Sequence, residues 1–110
     1  MSEDIRSRIE GLIKGNKVML FMKGTKQFPA CGFSNTVVQI LKKESVPFET
    51  FNILADGDIR QGLKEYSSWP TYPQLYINGK FIGGCDIVTE MHRSGELGRE
   101  LAAASAKAPN

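Results

Sequence analysis

"QLYINGKFIGG", Gln74 to Gly84, decides the fold. Asn78-Gly79 is the strongest short signal for a two-residue hairpin turn, because both central residues must take positive φ. The short runs on either side, Gln74–Ile77 and Lys80–Ile82, therefore read as two antiparallel strands. Gly83-Gly84 closes the hairpin and allows close backbone approach. Upstream, "SSWPTYP" is a loop with two prolines, and Trp69 beside Pro70 reads as loop packing, with a contact between subunits as the alternative. Pro73 falls at the first residue of a strand, where its missing N–H is tolerated. Downstream, Asp86 is expected to cap a helix running through Arg93, with Ile87, Val88 and Met91 inside. His92 is expected to be exposed on that helix and receives no metal role. Gly95 breaks the helix, Glu96–Ala106 reads as a last one, and the "AKAPN" tail reads as frayed.

The first half alternates helix and strand. Ile5, Ile9, Leu12 and Ile13 make one stripe of a helix over Ser2–Lys14, with Ser2 or Asp4 as its cap and Gly15 as its stop. "VMLFM", Val18–Met22, is a continuous apolar run that suits a buried strand, with Met19 and Met22 in the core. A polar loop from Lys23 to Ala30 leads to a helix over Asn35–Glu44 carrying Val37, Val38, Ile40 and Leu41. Pro47 ends that element and Phe48–Ile53 fits a second strand. Asp56, Gly57 and Asp58 mark the turn and cap of a short helix with Ile59, Leu63 and Tyr66. The order α-β-α-β-α-β-β-α-α predicts a single α/β domain over residues 1–110. Its centre is a four-stranded mixed sheet with helices on both faces. The first two strands should be parallel, and the hairpin strands antiparallel to each other.

Composition narrows the function. The chain has 110 residues, 41% of them hydrophobic, and a net charge of +2, so it lacks the strongly basic balance of a nucleic-acid binder. No apolar run approaches the roughly 20 residues that cross a membrane. "MSEDIRSRIE" is too charged for a secretory signal, whereas a trimmed organellar transit peptide would leave no trace. Two widely spaced cysteines and one histidine supply neither a disulfide scaffold nor the four ligands of an ordinary zinc site, which implies a reducing compartment.

One of those cysteines, Cys31 in "FPACGFSN", carries the chemistry. It falls after a loop and before a helix, where free amides favour thiolate over thiol. Lys23 adds positive charge if the loop folds back. A depressed pKa is therefore expected, against the alternative of a small apolar residue packed at a helix start. Ser34 stands where a dithiol reductase has its second cysteine. It cannot expel a mixed disulfide, so its expected role is structural, as a helix cap or a donor to the nearby sulfur. A cis Tyr72–Pro73 bond would turn the Tyr72 N–H and C=O outward to pair with an extended peptide.

"FMKGTKQFPACGFSNTVVQIL" and "IRQGLKEYSSWPTYPQLYINGKFIGGCDI", with their spacing, resemble the glutaredoxins, specifically the monothiol class bearing the Cys-Gly-Phe-Ser motif. The resemblance runs from about Ile9 to Arg93 and is nearest to single-domain chloroplast members. It implies a thioredoxin-like fold with Cys31 as the catalytic residue, beside a glutathione site. In that site Lys23 and Arg60 lie near the glycine carboxylate, and Tyr72, before a cis Pro73, lies on the cysteinyl backbone. Cys85 and Asp86 lie at the γ-glutamyl end, and Thr71 borders the groove. Two cations and one acid match the two carboxylates and one ammonium of glutathione. Lys64, on the same helix face as Arg60, is expected to be merely solvated.

The family also implies a 2Fe–2S cluster, which needs four ligands. Cys31 from two chains and two glutathione thiolates meet that count in a bridged homodimer, with the apoprotein a monomer. The implied role is cluster storage, assembly or transfer to acceptor apoproteins, with BolA-type proteins as alternative partners. The competing reading is a weak glutathione-dependent oxidoreductase that removes glutathione from proteins. Cys85 as a cluster ligand ranks low, and a Cys31–Cys85 disulfide stays open. The resemblance favours the chloroplast stroma, with the mitochondrial matrix or a bacterial cytoplasm as alternatives.

Overall fold

The computed structural model describes residues 1–106; of the tail expected to fray, residues 106–110, Ala106 ends the last helix and the rest lies outside the described residues. Ten elements follow one another: α1 (Glu3–Lys14), β1 (Val18–Met22), α2 (Gly32–Lys43), β2 (Glu49–Asn52), a 3-10 turn (Ile53–Ala55), α3 (Gly57–Ser67), β3 (Gln74–Ile77), β4 (Lys80–Gly83), α4 (Cys85–Ser94) and α5 (Glu96–Ala106). The strands form one four-stranded sheet in the order β2-β1-β3-β4. β1 and β2 are parallel, while β3 is antiparallel to both β1 and β4. The mixed sheet is therefore the expected one, with the hairpin docked on the first strand through β3. Asn78 and Gly79 take φ of 53° and 80°, the positive values that the turn requires.

The continuous apolar run of β1 has a simple cause: both of its faces are covered. Val18, Leu20 and Met22 point into one core with Val37, Leu41, Leu75 and Val88. Met19 and Phe21 point into a second core with Ile9, Ile13, Ile59, Leu63 and Tyr76. Helices α2, α4 and α5 cover the first face, and α1 and α3 the second. The two-residue period of a strand thus sorts neighbouring side chains between two cores. On the second face the aromatic rings form a continuous series. Phe21 meets Tyr76 edge-on at 5.6 Å between centroids, Tyr76 meets Phe81 at 5.3 Å, and Phe81 meets Trp69 at 5.7 Å.

The helix ends show where local sequence signals held and where they gave way. Ser2 caps α1, its hydroxyl accepting from the Ile5 amide at 3.2 Å. Asp56 caps α3, accepting from the Asp58 and Ile59 amides, and pairs with Arg8 of α1. That pairing, first through the Arg8 bond, holds the Asp56 carboxyl below its ordinary range. α2 begins at Gly32 rather than Asn35; its first turn was not legible because Phe33 is exposed and does not extend the apolar stripe. Asp86 does not cap α4. The extended Gly84 is the N-cap and Asp86 lies in the first turn, near the positive end of the helix dipole. Ile87, expected inside, is 39% exposed. His92 is not free on the surface: its Nδ1 lies 2.7 Å from Glu44 at the end of α2, tying α4 to α2.

Leu20 is fully buried on the first face of the central strand. Leu20→Ala should lower the unfolding free energy by about 2–5 kcal/mol, through lost transfer energy and a residual cavity, as read from urea unfolding.

Candidate functional site

Cys31 is the N-cap of α2, with extended φ and ψ of −150° and 136°, and is partly exposed. An extended cap turns the free amides of the first turn toward its own side chain. The Ser34 amide is the chief cause that holds the Cys31 thiol below its ordinary range. Partial burial pushes the other way, while the Phe33 amide, the Lys23 charge and the Ser34 hydroxyl add to the lowering. The expectation of a depressed thiol pKa from a helix N-terminus and Lys23 therefore meets its physical cause.

Ser34 is fully buried, and its hydroxyl accepts from the Lys23 amide at 3.1 Å. The serine thus joins the end of β1 to the first turn of α2. The loop between them is held at several further points. The Ala30 amide donates to the Lys23 carbonyl at 2.9 Å, and Thr25 and Phe28 exchange backbone bonds at 3.1 Å. Lys26 donates to the Phe48 carbonyl and lies 4.4 Å over the Phe48 ring. Gly24 has φ +94°, and a Cβ there would sit 2.4 Å from the Ala30 nitrogen, so only glycine fits.

The eight residues assigned to the site from the sequence converge on one cavity of about 510 Å³. Lys23, Cys31, Arg60, Thr71, Tyr72, Pro73, Cys85 and Asp86 line it, and the Tyr72–Pro73 bond is cis. Four elements and one loop contribute. β1 delivers Lys23 just past its end, α2 delivers Cys31, α3 delivers Arg60, and α4 delivers Cys85 and Asp86. The Cys85 sulfur is 4.0 Å from the Thr89 hydroxyl, and its side chain packs partly against the first core. A Cβ on Gly84 would lie 3.1 Å from Trp69 Nε1 and 3.4 Å from the Pro73 carbonyl oxygen, so the missing side chain lets α4 approach the proline loop.

Sequence reasoning missed several contributors. Lys64 is not merely solvated: it lines the same cavity, as do Phe33, Trp69 and Ile87. Gln74 is fully buried and holds the proline loop, donating to the Trp69 carbonyl at 3.1 Å and the Thr71 carbonyl at 3.3 Å while accepting from Tyr76 at 3.1 Å. Its signal was a polar residue opening an otherwise apolar strand. Asn52 accepts at one oxygen from both the Gly24 and Leu54 amides, at 2.9 Å and 3.0 Å. Nothing local marked it out, because Gly24 is distant in sequence.

The arrangement is a partly exposed thiol, shifted toward thiolate, lining a groove with three cations and one carboxylate. Known proteins are similar in sequence and fold. The family model for glutaredoxin matches residues 18–82. An uncharacterized ycf64-like monothiol glutaredoxin of Synechocystis is 57% identical over 106 residues, covering 96% of this chain and 99% of that one. The chloroplastic monothiol glutaredoxin-S14 of Arabidopsis thaliana is 58% identical over 101 residues, 92% of this chain and 58% of that relative's length. The chain belongs to the glutaredoxin family, and within it to the monothiol glutaredoxins.

Solved structures agree on the fold. Reduced poplar apo GrxS14 superposes with a TM-score of 0.83 at 56% identity, covering 94% of both chains. A buckwheat glutaredoxin–glutathione complex superposes with a TM-score of 0.83 at 27% identity, covering 98% of this chain and all of that one. The central mixed sheet flanked by helices is thus the thioredoxin-like fold of these proteins.

Because the thiol is held below its ordinary value of 9.0, the thiolate forms at lower pH in the folded chain. Alkylation of Cys31 by iodoacetamide, followed by peptide mass, should reach half its plateau rate below the pH found for the urea-unfolded chain. The linked stabilisation is fully present above the unfolded pKa and fades as pH falls through the folded one. Ser34→Ala should cost about 1–3 kcal/mol, because it strands the Lys23 amide. It should also move the alkylation midpoint upward.

Proposed function

We propose that this chain binds glutathione in the groove beside Cys31 and, as a homodimer, carries a bridging 2Fe–2S cluster for storage or delivery to acceptor apoproteins. The observation that carries the reading is the partly exposed Cys31 thiol, shifted toward thiolate, with a buried serine in the resolving position. A dithiol cycle has no second sulfur there. Coordination chemistry asks only for exposed thiolates, and four of them for such a cluster. Two Cys31 sulfurs and two glutathione sulfurs supply four.

The groove's charge supports the same reading. Lys23, Arg60 and Lys64 outnumber Asp86, so a ligand of net negative charge is favoured there. In this reading Lys23 and Arg60 hold the glycine carboxylate of glutathione. Tyr72 and cis Pro73 align its cysteinyl backbone, Thr71 borders it, and the α4 start with Cys85 and Asp86 receives the γ-glutamyl end. A carboxylate at a helix N-terminus gains from the free amides and the dipole. The cargo is held partly by ligands that are not covalently part of the chain, which eases its exchange onto an acceptor or a BolA-type partner. The chloroplast stroma or a cyanobacterial cytoplasm fits the relatives' sources, and the chain acts as one domain.

The lowered thiol pKa also favours a second reading. The Cys31 thiolate attacks the glutathione sulfur of a protein–glutathione disulfide and expels the protein thiolate. A second glutathione thiolate then attacks the sulfur bound to Cys31, releasing oxidised glutathione and restoring the Cys31 thiolate. Both readings use one groove and one sulfur.

Anaerobic reconstitution with iron, sulfide and glutathione ranks them. The expected product is a coloured dimer, by visible absorption and intact mass, which needs glutathione, disappears in Cys31→Ser and survives in Cys85→Ser. Colour without glutathione, or its loss in Cys85→Ser, overturns the ligand count. A colourless monomer that still exchanges disulfides favours the enzyme.

A further inference from the structure

The phenol of Tyr72 makes a contact that the groove reading leaves unused. Its hydroxyl donates to the main-chain carbonyl of Arg60. The ring is 6% exposed and packs in the second core among Ile59, Leu63 and Tyr76. Burial pushes its pKa up to about 12, against the opposing Arg60 charge, so the hydroxyl keeps its proton to donate. A helix carbonyl has a second lone pair, so this bond is compatible with the helical one.

The consequence lies in what each partner presents to the cavity. Tyr72 borders it on the proline loop, and Arg60 borders it from α3. Arg60 is exposed, and a long exposed side chain gains little from its own rotamers in finding one position. Its reach into the groove is set by where the helix backbone is held. The phenol holds that backbone at the residue bearing the guanidinium and ties it to the opposite wall. Phenylalanine would fill nearly the same volume in the core without making this tie.

We propose that the Tyr72 hydroxyl is a positioning group that fixes Arg60 against the proline loop and thereby sets the affinity of the groove for the glycine-end carboxylate of a glutathione-type tripeptide. The inference rests on the groove reading above. It predicts selectivity at one end of the ligand only.

The test titrates glutathione and γ-glutamylcysteine, which lacks the glycine carboxylate, into the unaltered chain, Tyr72→Phe, Arg60→Gln and the double variant. Binding is read by calorimetry and by the fluorescence of Trp69, the single tryptophan, which lines the cavity. Tyr72→Phe should weaken glutathione about three- to tenfold, the range of one lost hydrogen bond, and γ-glutamylcysteine less than about twofold. In the Arg60→Gln background the added Tyr72→Phe change should have no further effect. Equal weakening of both ligands, or additive losses in the double variant, overturns the proposal. A second measurement is independent of any variant. In the unaltered chain the Tyr72 hydroxyl proton should exchange slowly and show a nuclear Overhauser contact to the Arg60 α-proton. A hydroxyl exchanging at the free rate overturns the proposal as well. Failure of the unaltered chain to bind either ligand would bring down the groove reading and this inference together. Tight binding that is indifferent to Tyr72→Phe would bring down this inference alone.

Discussion

The bond from the Lys23 amide to the buried Ser34 hydroxyl is the constraint on which the site depends. It joins the end of the central strand to the first turn of the helix that Cys31 caps. With those two points fixed, the loop between them has little freedom, and Cys31 must leave it in an extended conformation. Its sulfur then faces the amides of Phe33 and Ser34. The serine in the resolving position is therefore a structural member of the site, and the thiol's acidity is a consequence of backbone geometry first and of Lys23 second.

The sheet explains why such different residues meet. Helices α2 and α4 lie on one face and α3 on the other, and each begins or passes near the same end of the sheet. Cations arrive from β1 and α3, the carboxylate and its helix amides from α4, and the sulfur from α2. Two well-filled cores hold these elements, so the groove and its charges are not required to stabilise the fold. The charges stay partly solvated, where their value lies in selecting a ligand more than in stabilising the fold.

Much of this was legible because it is local. Asn78-Gly79 between two apolar runs specifies a hairpin, the apolar run of β1 specifies a strand covered on both faces, and Ser2 and Asp56 specify helix starts. Cys31 ahead of a helix specifies an electropositive surrounding for its thiol. Eight of the residues that line the cavity were also legible, through the resemblance of two long motifs to one family. The start of α2 was not, because Gly32 and Phe33 bury nothing that would extend the apolar stripe.

What the chain alone determined is the order of the helices and strands, the parallel sense of the first two strands, the antiparallel sense of the hairpin, and a thiol at position 31 with no second in the resolving position. These follow from periodicity, turn chemistry and residue identity, all carried by near neighbours. Tertiary structure decided the rest: Gln74 gripping the Trp69 and Thr71 carbonyls, Asn52 receiving the Gly24 amide, His92 meeting Glu44, Lys64 and Ile87 turning toward the groove, and the Tyr72 phenol reaching Arg60. Most of these join groups well apart in the chain, and the two side chains that turn toward the groove do so only where separate elements meet. Their pairing is set by how the layers pack, and no local pattern of residues encodes it.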